Sequence, residues 1–329
     1  MQKYMKYVYV LVSSVQDTYY EQFLLSVTSL RLKNPDAYIT VLCDSKTKQN
    51  LQDKRNGYEN IVSDIKIVPA PDNLSQKEVS RYIKTSMRRY VDGDFLFIDC
   101  DTIITDTISD IISVPMDIGA VLDKHRTIDF HSMGSYIIEN DERLGFKSST
   151  TNKHYNSGII FCKDTAKAHS FFDTWHELWI HSNRKGITVD QPSFNEAIFR
   201  NRDIFIELNG IWNCQIAFNG IPYLSDAKVI HYYASSLITQ IPPYSLASED
   251  NLDFIKKTGT VSSAMLKQLQ KPKGAFVADS RIIAGDAALD VVNSNFFAKL
   301  LWLRRKHPVI FEKLNKLILN IKNREHNKE

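Results

Sequence analysis

The chain has 329 residues, 43% of them hydrophobic and 24% charged, a balance that supports a sizeable folded core and excludes wholesale disorder. With 41 Lys and Arg against 38 Asp and Glu the formal charge is only +3, which argues against a dedicated nucleic-acid binder. The length admits one large α/β domain or two smaller domains.

In chain order, Tyr7 to Val12 is a continuous β-branched and aromatic run, as in a strand buried on both faces. It is far too short for the roughly 20 residues of a membrane span. Lys3 and Lys6 precede it but no small-residue cleavage site follows, so a first strand is the better reading than a leader. Asp17 is placed to cap a helix in which Tyr20, Phe23, Leu24, Val27 and Leu30 recur at helical spacing, and Asn34-Pro35 ends it. Tyr38 to Leu42 is the second strand, a polar helical stretch follows, and Ile61 to Val68 is the third strand. Ser80 to Tyr90 is expected to be helical and Phe95 to Ile98 to be another buried strand. This alternation argues for a mostly parallel sheet covered by helices.

Beyond residue 110 the pattern is mixed. Gly119 to Leu122, Gly158 to Phe161, Ile204 to Leu208 and Lys228 to His231 are short strands, and the segment from about Asp123 to Thr151 is a long loop. Ala168, Phe171, Phe172, Trp175, Leu178 and Trp179 mark one amphipathic helix, and Phe194, Ala197 and Ile198 another. The expected organisation is a main domain over 1–235, a helical and loop addition over 236–290, and a tail over 291–329. Cys43, Cys100, Cys162 and Cys214 are far apart and lie in or beside apolar runs, which suits reduced core thiols in a cytoplasmic protein.

The tail differs from the rest. From Val291 onward there are nine Lys or Arg and three Glu, a charge of +6, so the preceding residues sum to −3. Phe296, Phe297, Leu300, Leu301 and Leu303, then Val309, Ile310, Leu314, Leu317 and Ile318, set apolar faces between the basic residues. Such helices lie on anionic membrane surfaces, or else pack their apolar stripes on the body with the lysines solvated. The sequence leaves these two readings balanced.

Phe95-Leu96-Phe97-Ile98 runs directly into Asp99-Cys100-Asp101. The carboxyl end of a buried strand is where an open α/β sheet binds its ligands. Two carboxylates there repel each other and call for a cation or a shared proton; a hard divalent ion bridging them to phosphate oxygens answers that need. An isolated Asp-x-Asp is common on solvated loops, and the apolar run before it is what favours a site. Lys228-Val229-Ile230-His231 is a second apolar run ending in a ligand-competent side chain, and mixed carboxylate and imidazole ligation suits manganese. Asn156-Ser157-Gly158 enters a third run, and Asp190-Gln191 opens a helix. These are turn formers and caps, or polar groups lining a pocket for a hydroxyl-rich molecule.

Together, and in this order, the four motifs resemble the GT-A fold nucleotide-sugar glycosyltransferases, most closely glycosyltransferase family 8. The resemblance covers about residues 5–235 and implies an α/β, Rossmann-like sheet with a C-terminal helical extension. It implies that Asp99, Asp101 and His231 hold Mn2+ or Mg2+ on the diphosphate of a UDP-sugar, and that Asn156, Ser157 and Gly158 contact the donor sugar. Asp190 and Gln191 fall beside the reaction centre, and Trp212-Asn213 matches a Trp-Asn that precedes the last metal ligand. Arg81, with Lys84 one turn on, corresponds to the family's donor-holding basic residue. Ser13, Ser14 and Tyr19 fall at the nucleobase, with Ser13-Ser14 where the family carries an acidic pair. The family's Gly and Lys-Pro-Trp after the histidine have no counterpart here.

The implied reaction is sugar transfer to an acceptor hydroxyl with retention of configuration, in surface-glycan or lipid-linked saccharide synthesis. No nucleic-acid partner is expected, and the tail allows peripheral contact with an anionic membrane on its cytoplasmic face. The competing readings are an aspartyl-nucleophile phosphatase and a non-catalytic carbohydrate-binding scaffold.

Overall fold

A computed structural model describes residues 5–233, 246–276, 290–291 and 294–326. Of the predicted middle addition, 236–245 and 277–289 lie outside the described residues, as do 292–293 and 327–329 of the tail.

Seven strands form the central sheet in the order β3-β2-β1-β4-β7-β6-β8. They are β1 (Lys6–Val10), β2 (Tyr38–Cys43), β3 (Asp64–Ile67), β4 (Phe95–Ile98), β6 (Ile118–Leu122), β7 (Tyr155–Cys162) and β8 (Phe205–Leu208). The β1–β2, β1–β4, β2–β3 and β6–β8 pairs are parallel, and β7 runs antiparallel to both β4 and β6. The sheet is thus the mostly parallel one expected, with a reversed strand inside it. Along β1 the side chains alternate between two cores, Tyr7, Tyr9 and Leu11 joining one and Val8, Val10 and Val12 the other. Burial on both faces is why the strand reads as an unbroken apolar run.

Helix α1 (Tyr19–Lys33) buries Tyr20, Phe23, Leu24, Val27 and Leu30 and stops at Asn34. The short α2 (Ser45–Asn50) is capped by Asp44. Helix α3 (Gln76–Ser86) starts earlier than the apolar spacing predicts, because Ser75 and Glu78 form a reciprocal capping box; a 3-10 turn over Met87–Arg89 completes it. The segment expected to be loop contains α4 (Gly134–Leu144), which ends on Gly145 in the left-handed conformation at φ 72°. Helices α5 (Ala166–Arg184) and α6 (Gln191–Arg200) pack their aromatic faces together, Trp175 against Phe194 at 4.8 Å.

A second, three-stranded sheet decides where the site forms. Strand β5 (Thr102–Ile104) leaves the Asp-x-Asp and pairs antiparallel with β10 (Val229–His231), which pairs in parallel with β9 (Cys214–Gln215). His231 lies opposite Thr102, and Tyr232 N–H donates to the Asp101 carbonyl at 2.9 Å. Residues 129 and 131 positions apart in sequence are thereby held side by side.

Chain contacts group Met1–Asp129 with Met133–Asp279 in one unit, which holds both sheets, and Phe130–Ser132 with Ser280–Glu329 in another. The first also contains α7 (Glu249–Thr258) and α8 (Ser263–Gln270), whose Leu252, Ile255, Met265 and Leu269 join its core. The second contains α9 (Asn295–Lys306) and α10 (Pro308–His326). The cysteines are free, three of them buried and Cys100 partly so.

Candidate active site

The strand order places the reversal of connection between β1 and β4, the switch point at whose carboxyl ends an open sheet opens a crevice. Both ends carry predicted site residues. At the end of β4, Asp99 and Asp101 meet His231, with potential ligand atoms of all three within 4.8 Å of one another. His231 Nε2 lies 3.2 Å from Asp101 Oδ1, while its Nδ1 is 3.0 Å from Asn213 Oδ1. Because an amide oxygen only accepts, Nδ1 is the donor there, and Nε2 is the nitrogen turned to the carboxylates.

Burial alone would lower the His231 pKa; the Asp101 carboxylate outweighs it and the net direction is up. Asp101 is held down by the same pairing, despite its burial. Asp99 is pushed up, by burial first and by Asp101 as well, with Lys84 opposing. This is the electrostatic signature of a donor set that binds a proton or a cation.

Gly158 enters the same cluster. A β-carbon there would lie 2.5 Å from His231 Cε1, 2.8 Å from Asn156 Oδ1 and 2.9 Å from Asp99 Oδ2, so only glycine leaves the space between the ligands open. Its carbonyl accepts from Asp99 N–H at 2.8 Å, which ties β7 to the end of β4. The residues present therefore fit a hard divalent ion: two carboxylates, one imidazole with its tautomer set, and a cradle kept free of side chain.

Lys84 reaches from α3 to 3.2 Å from Asp99 Oδ1, 3.4 Å from Asp190 Oδ2 and 3.3 Å from Ser157 Oγ. Arg81, one turn earlier, makes an ion pair with Asp190 Oδ1 at 3.3 Å. Asp190 stands at the N-terminus of α6, yet its carboxylate does not cap the helix. It accepts from Ser157 Oγ at 2.8 Å instead. Burial would raise its pKa, but Lys84 and Arg81 dominate and hold it at about 2. Gln191 Oε1 accepts from Asn156 Nδ2 at 3.4 Å. Asn195, one turn into α6, clamps Tyr155 with two bonds, 2.6 Å from its N–H and 3.0 Å to its carbonyl, fixing α6 against β7.

At the end of β1 the predicted Ser13 and Ser14 belong to a bonded loop centred on Asp17, which accepts from Ser13 Oγ, from Ser14 N–H and Oγ, from Tyr19 N–H and from Gln76 Nε2. Arg55 donates to Ser13 Oγ and the Ser14 carbonyl, and pairs with the buried Glu21 at 3.0 Å. The Ser13 hydroxyl is thus engaged within the protein, whereas Tyr19 is 40% exposed. The residues of this end and those around Asp99 form two groups on neighbouring strands.

Three residues of the site escaped the motif reading. Asp123, at the end of β6, accepts from Asn156 Nδ2 at 2.8 Å. Gln215 of β9 accepts from Lys124 N–H at 2.6 Å. Tyr233 stacks on His231 with ring centroids 4.3 Å apart and rings inclined by 20°. Asp123 carries the signal used for Asp99, a carboxylate straight after an apolar strand. Gln215 offers none.

The sequence model of glycosyl transferase family 8 matches residues 2–236. The chain belongs to glycosyl transferase family 8. Among solved structures it is similar to the WbbM bifunctional glycosyltransferase, with a TM-score of 0.53 and 16% identity over 81% of this chain and 51% of that one. It therefore spans about half the length of that relative. It is also similar to galactosyltransferase LgtC solved with donor and acceptor sugar analogues, at a TM-score of 0.47 and 13% identity over 80% of this chain and all of that one. GlyE of Streptococcus pneumoniae TIGR4 gives a TM-score of 0.47 and 14% identity over 82% of this chain and 64% of that one. No curated protein sequence matches. Family membership supports a glycosyltransferase, and the fold is GT-A.

Proposed function

We propose that this family 8 protein transfers a hexosyl group from a UDP-sugar to an acceptor hydroxyl, with retention of anomeric configuration. The observation that carries the reading is the Asp99, Asp101 and His231 donor set with Gly158 keeping its centre clear, at the switch point of a GT-A sheet. Asp99, Asp101 and His231 would hold Mn2+ or Mg2+, which supplies positive charge against the negative charge of the donor diphosphate. Lys84 adds a fixed cation beside Asp99 and Asp190. The acceptor oxygen bonds to the anomeric carbon as the bond to the diphosphate breaks. The leaving nucleotide diphosphate takes the bonding electron pair, the acceptor's proton passes to it or to solvent, and Lys84 and Arg81 stabilise the charge that results.

Asp190 and Gln191 stand by the sugar's reactive carbon, Asp190 ionised at neutral pH by its two basic neighbours. Asn156, Ser157 and Gly158 line the sugar side, with Asn213 orienting both His231 and, through its Nδ2 at 2.8 Å, Asn156 Oδ1. Ser13, Ser14 and Tyr19 shape the nucleobase end, the serines through their bonds to Asp17. The acceptor belongs to surface-glycan or lipid-linked saccharide synthesis, with the protein at the cytoplasmic face of a membrane.

Calorimetric titration of UDP with and without Mn2+ tests the reading. Mn2+-dependent binding in the parent protein, lost in Asp101→Asn, is the expected result. UDP binding indifferent to metal and to that substitution would overturn it. Turnover of a simple phosphoester would favour the phosphatase, and glycan binding without UDP binding the scaffold.

A further inference from the structure

The Tyr233 hydroxyl is surrounded by three polar side chains from three strands or strand ends. It lies 2.6 Å from Asn156 Nδ2, 2.8 Å from Gln215 Oε1 and 3.0 Å from Asp123 Oδ1. One amide donor and two acceptors thus converge on a single oxygen. A hydroxyl has one proton to give, so it serves one acceptor at a time while accepting from the amide.

The three surrounding groups do not need the tyrosine to stay in place. Asp123 Oδ1 also accepts from Asn156 Nδ2 at 2.8 Å, and Gln215 Oε1 from Lys124 N–H at 2.6 Å. Gln215 Nε2 donates to the Leu122 carbonyl at 2.9 Å, and Asn156 Oδ1 accepts from Gly158 N–H at 2.9 Å. If Tyr233 leaves, each keeps a partner and the cradle persists. By contrast, Tyr233 itself sits at φ 54°, in the left-handed region that a bulky side chain occupies only under strain. Stacking on His231 and the three polar contacts hold it there.

We propose that Tyr233 is a place-holder on the sugar side of the site: its hydroxyl occupies the point at which Asp123, Asn156 and Gln215 recognise a hydroxyl of the donor's pyranose ring, and the donor displaces it. The ligand class follows from the cradle. A sugar hydroxyl donates and accepts as the phenol does, and Asn156 also reaches Gln191 beside the proposed reaction centre. Displacement releases the backbone strain, which offsets part of the cost of breaking the phenol's bonds. This inference rests on the transferase reading above, because it requires a donor that brings a sugar to this point.

The test compares Kd values for UDP-glucose, UDP-galactose and UDP, each with Mn2+, in the parent protein and in Tyr233→Phe. Phenylalanine keeps the ring on His231 and deletes only the competing hydroxyl. At least one UDP-sugar is expected to bind about three- to tenfold tighter relative to UDP in the variant, the worth of one net hydrogen bond. Tyr233→Ala, which also removes the ring, moves the same ratio in the same direction. An unchanged or lowered ratio in both variants, with UDP still binding, overturns the place-holder alone. Absence of Mn2+-dependent UDP binding in the parent protein overturns the transferase reading and this inference with it.

Discussion

Gly158 is the position at which a single methyl group tests the metal site without replacing a ligand. Its missing side chain keeps the space between His231, Asn156 and Asp99 open, and the neighbours at 2.5–2.9 Å belong to groups fixed by their own bonds. Gly158 lies within β7, and its backbone does not require a positive φ. Gly158→Ala is therefore expected to leave the sheet folded and to weaken Mn2+ binding about 10- to 100-fold, the range seen when ligand positioning is disturbed. Mn2+ titration followed by electron paramagnetic resonance, alongside circular dichroism, checks this. Native affinity in the alanine variant would show that the cradle is not where the ion sits.

At the scale of elements, the α3–α5 contact behind the site contains a histidine that the fold requires to be neutral. His176 of α5 is 2.7 Å from Thr85 Oγ1 and meets the Tyr82 ring edge-on at 4.8 Å. Burial, reinforced by Arg89, lowers its pKa to about 4, against an ordinary value near 6.5. The unfolded chain takes up the proton first as pH falls. Its contribution to stability is therefore whole above about pH 6.5 and is lost progressively towards about pH 4. Thermal unfolding at about pH 7.5 and about pH 5 should show a drop in Tm that becomes smaller in His176→Gln. An equal drop in both proteins would mean that other groups set the acid sensitivity. Since α3 carries Arg81 and Lys84, loosening of this contact at low pH acts directly on the basic side of the site.

For the whole molecule, the near-neutral charge is the sum of unlike parts. Helices α9 and α10 leave large apolar side chains in solvent, Phe296 at 70% and Val309 at 68%, with Trp302 half exposed, and α9 has no buried residue. Lys299, Arg304, Arg305, Lys306, Lys313 and Lys316 stand between them. No described helix is long and apolar enough to cross a membrane. Basic and apolar groups exposed together complement an anionic bilayer surface, which supports the proposed cytoplasmic-face location. The protein should sediment with phosphatidylserine-containing vesicles and not with purely zwitterionic ones, and Lys313→Glu with Lys316→Glu should weaken that binding. Equal sedimentation with both vesicle types, or none with either, would remove the tail from membrane contact.

Local chemistry made much of this legible in the amino-acid order. Strand β1 reads as buried on both faces because six consecutive side chains are apolar, and Asp99 reads as a ligand because a carboxylate ends such a run. The start of α3 was equally legible in Ser75 and Glu78, but apolar spacing pointed to a later residue because capping is a polar signal. Helix α4 was hidden by its few apolar residues. Asp190 shows the limit of local reading: its position says cap, and only packing against α3 and β7 turns its carboxylate to Lys84, Arg81 and Ser157. Sequence by itself determined the family, the kind of sheet and the side chains fit to bind a cation. The resemblance already implied that His231 joins Asp99 and Asp101; tertiary structure alone decided that this happens through the pairing of β10 with β5, and that Asp123, Asn156 and Gln215 close around the Tyr233 hydroxyl. Pairing between distant strands depends on register and packing across the whole chain, and no local pattern of residues encodes it.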